Sequence, residues 1–220
     1  MDTKPTSLSL TPEAALAFLR DEATALLAQP GRRVLGIAGG PGTGKSTLAV
    51  QLVEALGPDA AYVPMDGFHM QHAKLEGLGT AGDKGMPHTF EGAAFADFLA
   101  VLKAATGPVS GPGYSRQIED VVDDAFIIPA TTRLLVVEGN YLLLSMAPWW
   151  RVRPLLDRAM FIDVPREMVR ARLMKRHAEA GLFTDERNRA HIERVDLPNY
   201  DLVMRSRPQA DVAISLVTTA

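Results

Sequence analysis

Residues 34–46 read Val34-Leu35-Gly36-Ile37-Ala38-Gly39-Gly40-Pro41-Gly42-Thr43-Gly44-Lys45-Ser46, an apolar run that enters glycines and stops at Lys-Ser. From Gly39 onward this matches the G-x-x-x-x-G-K-[ST] pattern, set between a strand and a helix. Glycines let backbone N–H groups turn toward one ligand without Cβ clashes, and the helix that follows presents its positive dipole end. Lys45 adds a mobile cation, and the Ser46 hydroxyl can ligate magnesium. The expected nucleotide-phosphate set is therefore Gly39, Gly40, Pro41, Gly42, Thr43, Gly44, Lys45, Ser46 and Thr47. A purely structural strand-to-helix turn would need the glycines and have no use for Lys-Ser.

Outward from this loop, a helical pattern over 45–56 stops at Gly57-Pro58. Short apolar runs at 60–65, 134–137, 159–164 and 212–217 join 34–38 as five strand candidates. A first helix is predicted over about 11–29, with Thr11 as cap and Pro12 at its first position, and another follows Pro165. Strands alternating with helices predict an α/β fold, a five-stranded parallel sheet covered on both faces, with ligands at the carboxyl ends of the strands. A chain of 220 residues is expected to form one domain over 1–220.

Bulk composition narrows the partners. A net charge of −3 supplies no basic field for a polyanion, so no nucleic-acid partner is expected. The chain has no cysteine, which excludes disulfides, thiolate zinc sites and a Cys nucleophile and fits a cytoplasmic location. The first thirty residues carry Asp2, Lys4, Glu13, Arg20, Asp21 and Glu22, so no signal-peptide core forms there, and no run reaches membrane-spanning length. A small soluble partner is the expectation, and a homodimer is compatible with it.

The phosphate loop alone leaves GTPase switches, motors, transporters and kinases open. The chain lacks the Asn-Lys-x-Asp and Asp-x-x-Gly elements of GTPases and the Leu-Ser-Gly-Gly-Gln signature of transporter ATPases. Instead Tyr62-Val63-Pro64-Met65-Asp66-Gly67-Phe68-His69 is an apolar strand that delivers a carboxylate at its carboxyl end. Asp66 is the candidate catalytic base; otherwise it would cap the turn. Two segments, 67–90 and 107–131, are rich in Gly, Pro, His and charge, and loops of that length are commonly functional.

These residues resemble the P-loop superfamily of uridine kinase, pantothenate kinase and phosphoribulokinase, most nearly bacterial kinases associated with fructose transport systems. The likeness spans 33–202. It rests on the phosphate loop, Met65-Asp66-Gly67-Phe68-His69, Lys84-Gly85-x-Pro87, Pro112-x-Tyr114-Ser115-Arg116 and Val137-Glu138-Gly139-Asn140-Tyr141. In pantothenate kinases a His generally follows Tyr-Ser where this chain has Arg116.

The resemblance implies an ATP- and magnesium-dependent transfer of a phosphoryl group to a hydroxyl of a small metabolite, a sugar such as fructose first. Uridine or pantothenate are alternatives, as is an ATP-binding regulatory or assembly protein. Glu138, at the end of an apolar run, joins Ser46 as a magnesium ligand. Arg172, Lys175 and Arg176 share a helical face. The resemblance makes this the start of a small lid over about 172–190, with Lys45, Arg172 and Arg176 acting beside Asp66 and with Arg187 or Arg189 as alternative lid cations. His69, Lys84, Tyr114, Arg116, Glu119 and Asp120 are candidates to read the acceptor. His88 and His177 are read as structural or solvent-facing.

Overall fold

The computed structural model describes residues 4–115, 117–181 and 184–217. Its centre is a fully parallel sheet of six strands in the order β1-β8-β7-β2-β6-β3. These are β1 (Thr6–Leu10), β2 (Arg33–Gly39), β3 (Ala60–Pro64), β6 (Leu134–Gly139), β7 (Arg158–Asp163) and β8 (Val212–Leu216). The expectation of five strands was one short. The missed strand, Thr-Ser-Leu-Ser-Leu, lies at the sheet edge with its residues half-buried or exposed, so it never forms an apolar run.

Strand periodicity divides the core in two. On β6, Leu135 and Val137 face one side with Phe95, Leu99 and Trp149, while Leu134 and Val136 face the other with Leu19, Leu48 and Leu52. Helices α1 (Pro12–Leu27) and α2 (Lys45–Leu56) cover the second face, and α4 (Gly92–Ala104) covers the first. Each fully buried Leu or Phe contributes about 1.5–3 kcal/mol, so both layers are needed to hold the sheet. Helix α1 starts as the sequence predicts: the Thr11 hydroxyl accepts from the Ala14 N–H at 3.3 Å and Pro12 occupies the first turn.

Both long segments carry structure of their own. Residues 67–90 contain α3 (His72–Gly77) and several short turns. Residues 107–131 hold an antiparallel hairpin, β4 (Val109–Ser115) with β5 (Asp120–Ile128), whose register shifts between Gly111 and Gly113. Two glycines and a proline in β4, and acids at 120, 123 and 124 in β5, hide this hairpin from a hydropathy pattern. The remaining helices are α5 (Arg166–Ala180), α6 (Asp185–His191) and α7 (Leu197–Met204), the last two joined by a single π-helical turn over Ile192–Asp196. No helix among the described residues is long and apolar enough to cross a membrane.

Candidate active site

Because the strands run parallel, the ends of β2, β3 and β6 open on one side of the sheet, and all three lead into residues singled out by sequence. The loop after β2 turns through Gly42 (φ +73°) and Gly44 (φ +91°), a region that favours glycine, before α2 begins at Lys45. Inside the loop the Thr43 hydroxyl donates to the Gly40 carbonyl at 2.9 Å, and Lys45 Nζ donates to the same oxygen at 3.3 Å. Gly39, Gly40 and Pro41 complete the turn, Ser46 sits half-buried in the first helical turn, and Thr47 is exposed.

Lys45 is 7% exposed and Glu138, near the end of β6, only 4%. Charges buried that far need partners. They have each other, Nζ to Oε1 at 3.4 Å, and Glu138 Oε2 also accepts from the Tyr62 hydroxyl at 2.8 Å. Burial, with Glu138 alongside, pushes the Tyr62 phenol above its usual pKa. Ser46 and Glu138 are oxygen donors only. Two such protein ligands suit magnesium, which keeps its other positions for phosphate oxygens and water. Among the described residues no cluster of three or more His, Cys, Asp or Glu forms an all-protein metal site.

Asp66 lies in the short turn Met65–Phe68 that follows β3. Phe68 anchors this turn by packing against Phe95 and Phe98 at centroid distances of 5.2 and 5.3 Å. Next to it His69 is held between Phe90 (3.8 Å) and Tyr114 (4.7 Å), with Nδ1 2.8 Å from the Asp66 carbonyl. A carbonyl only accepts, so Nδ1 carries the proton. Lys84 donates from Nζ to the Glu119 carbonyl and lies 5.3 Å from the Tyr114 ring centroid. Asp120 accepts from the His72 N–H through both oxygens, at 3.3 Å each, which ties the hairpin tip to the start of α3.

One cavity of about 460 Å³ connects these groups. Its wall contains Pro41, Lys45, Ser46, Asp66, His69, Lys84, Tyr114, Glu119 and Arg176, so candidates from the phosphate loop, the turn after β3, the two long segments and α5 meet in one place. Glu138 stands behind Lys45 and Tyr62 and does not line it. Arg172 packs on the outer side of the phosphate loop, where Nη1 donates to the Gly42 and Thr43 carbonyls at 3.4 and 3.3 Å. Arg187 also lines the cavity. Arg116 lies outside the described residues.

Sequence reasoning missed part of the wall. His177, read as structural or solvent-facing, lines the cavity with His191, and the two rings lie 5.7 Å apart. His177 Nε2 meets the buried Asp196 carboxylate at 3.1 Å, and burial lowers the pKa of His191. Asn140 and Asn199 are also on the wall, and Asn199 donates to the Gly85 carbonyl at 2.8 Å beside the Tyr141 hydroxyl. Asp196 closes the π-helical turn, a distortion that recurs at functional sites and that no residue pattern announces.

Comparison with known proteins adds the relationship. No family model matches the chain. A Schizosaccharomyces pombe protein named "Putative uridine kinase C227.14" is 31% identical over 207 residues, covering 89% of this chain and 88% of its own. The pantothenate kinase of Streptomyces coelicolor is 33% identical over 136 residues, 59% of this chain but 41% of that enzyme. Among solved structures, the crystal structure of a "putative fructose transport system kinase" from Silicibacter sp. TM1040 superposes with a TM-score of 0.82. It is 32% identical and covers 90% of this chain and 98% of its own.

Proposed function

We propose, from the premise that this chain belongs to the P-loop kinase superfamily of uridine kinase, pantothenate kinase and phosphoribulokinase, that it phosphorylates a hydroxyl of a small sugar, fructose first, at the expense of ATP. The observation that carries this reading is the single cavity joining Lys45 and Ser46 to Asp66 and to a wall of mixed donors and acceptors.

The chain's residues divide the work. The loop from Gly39 to Thr47 cradles the phosphates, and Lys45 leaves the Gly40 carbonyl and Glu138 to meet the charge of the transferred group. Asp66 takes the proton of the acceptor hydroxyl as its oxygen bonds to the γ-phosphorus and the bond to the ADP oxygen breaks. Arg176 and Arg187, from the lid helices, lower the charge on the phosphoryl oxygens. Ser46 and Glu138 would hold a magnesium ion, which when bound would supply electrostatic neutralisation of the phosphates.

A sugar fits the rest of the wall. Each of its hydroxyls both donates and accepts, and a buried unpaired one costs ~1–3 kcal/mol, so a mixed set such as Lys84, His69 and Glu119 suits it. A nucleobase would want an open aromatic face. Phe90 and Tyr114 instead pack on His69, and Phe90 also meets Tyr141 at 5.3 Å. The relative from Silicibacter described in connection with fructose transport supports the same choice.

The test is a coupled assay of ATP turnover with fructose, other simple sugars, uridine, cytidine and pantothenate at equal concentration. A sugar should give the highest kcat/KM. A nucleoside or pantothenate exceeding every sugar tenfold, about 1.4 kcal/mol of transition-state preference, would refute the sugar reading. No stimulation of ATP turnover by any acceptor would favour a regulatory ATP-binding role.

A further inference from the structure

Gly85 is held from three directions. Its φ of +101° lies in the region open to glycine, and both of its backbone groups meet side chains there. The N–H donates to the Thr89 hydroxyl at 3.0 Å, and that hydroxyl donates in turn to the Met86 carbonyl at 2.8 Å. The Gly85 carbonyl accepts from the Tyr141 hydroxyl, just beyond β6, and from Asn199 Nδ2, on α7, at 2.8 Å. Tyr141 is fully buried and Asn199 is 4% exposed, so two buried polar side chains are committed to one carbonyl.

The neighbour of that glycine is Lys84. A lysine is a point charge on a flexible four-carbon stem, so where its ammonium can reach depends on how its backbone end is fixed. From that end Nζ crosses to the β4–β5 hairpin, where it donates to the Glu119 carbonyl and lies 5.3 Å from the Tyr114 ring centroid. Lys84, Gly85, Glu119 and Asn199 all line the cavity. One residue beyond Asn199, Tyr200 lies against the phosphate loop: a Cβ on Gly40 would fall 2.7 Å from its ring, and its hydroxyl donates to the Val164 carbonyl at 2.8 Å. Successive residues of α7 thus hold the loop that receives nucleotide and the segment that carries Lys84.

We propose that Asn199 is a positioning residue for the acceptor: through the Gly85 carbonyl it aims Lys84 into the cavity, while α7 sets the distance from that cation to the phosphate loop. The inference deepens the kinase reading above and rests on Lys84 as an acceptor-binding group. Misplacing such a group by about 1 Å costs on the order of 10²-fold. Tyr141 keeps its hold on the carbonyl when Asn199 is lost, so about a tenfold effect is expected.

Asn199→Ala tests this, with the panel acceptor that gives the highest kcat/KM. The KM for that acceptor should rise about tenfold, and ADP affinity measured by calorimetry should match the parent. The Lys84→Met background carries the discrimination. There Asn199→Ala should add less than twofold, because the lysine it aims is gone, whereas an amide that only braces the loop would cost the same in both backgrounds. If Asn199→Ala does not fold, Asn199→Leu keeps the volume, removes the donor and enters the same pair of comparisons. An acceptor KM within twofold of the parent, an equal cost in both backgrounds, or a matching loss of ADP affinity would overturn the proposal. An unchanged acceptor KM for Lys84→Met alone would also overturn it, removing Lys84 from the acceptor wall and leaving the kinase reading in place. A panel in which nothing stimulates ATP turnover would refute the kinase reading and this inference together.

Discussion

Gly67 separates the candidate base from the residue that pins its turn, and Gly67→Ala should uncouple acceptor chemistry from nucleotide binding. A Cβ at this position would lie 2.0 Å from the Pro112 carbonyl oxygen and 2.6 Å from its carbon. Ordinary contact begins near ~3.4 Å, so one side must retreat by roughly 1.4 Å. The turn cannot easily do so, because Phe68 is wedged against Phe95 and Phe98. The hairpin therefore moves, taking Tyr114 and Glu119 with it and parting them from Asp66. A misplacement of about 1 Å costs on the order of 10²-fold in rate. Overpacking of this kind costs about 1–3 kcal/mol, or several degrees of Tm in a chain of this length. The measurements are kcat/KM for the best sugar of the panel, ADP affinity by calorimetry, and thermal melting. Expected is a ~10²-fold loss in kcat/KM with ADP affinity retained. Parental kcat/KM with an unchanged Tm would refute the view that β4 forms the acceptor wall.

Lys45→Ala removes the only side-chain cation inside the phosphate loop and should cost ~10²–10³-fold in turnover, as loss of one charge-stabilising donor typically does; comparable turnover would refute this loop as the reacting phosphate site. Asp66→Asn should spare ADP affinity and slow transfer by ~10²-fold, while full turnover with every acceptor would leave Asp66 a structural cap. Asp157 gives a pH prediction. Burial opposes its charge, but Lys103, the Val34 N–H and Arg33 more than offset this and hold its carboxyl below the usual 3.8. Between the folded value and 3.8 the unfolded chain binds the extra proton, so the stabilisation is present above pH 3.8 and is lost as pH falls through the folded value. Urea midpoints measured across that acid range should fall less steeply for Asp157→Asn than for the parent, and equal slopes would show that Asp157 carries no such linkage.

What the sequence disclosed follows from how local each signal is. The phosphate loop is one contiguous turn, and Asp66 and Glu138 each stand at the carboxyl end of an apolar run, so their places beside one another at the strand ends were legible. The inner strands are covered on both faces and read as unbroken apolar runs. β1 is not, and β4 breaks at its own glycines and proline. The wall built by His177, His191, Asp196 and Asn199 depends on how α5 meets the π-helical turn and α7, a contact between segments with no shared motif. Tyr62 stood inside a quoted strand and read as one more strand residue. Its signal was a phenol facing the Glu138 carboxylate, visible only once β3 and β6 lie side by side.

The pairing of β1 with β8 also bears on how the chain can assemble. Thr6 lies beside Val212 and Leu10 beside Leu216, so the first strand finds its partner only after all the chain between them has been made. During synthesis it waits beside the ribosome, as a naked edge in search of backbone hydrogen bonds, and such contacts are among the slowest to form. A contiguous apolar strand in that position would invite pairing between nascent chains. Ser7 and Ser9, the residues that hid β1 from a hydropathy pattern, lower that hazard, and the sheet accepts weaker burial at its rim in exchange for a strand that can wait.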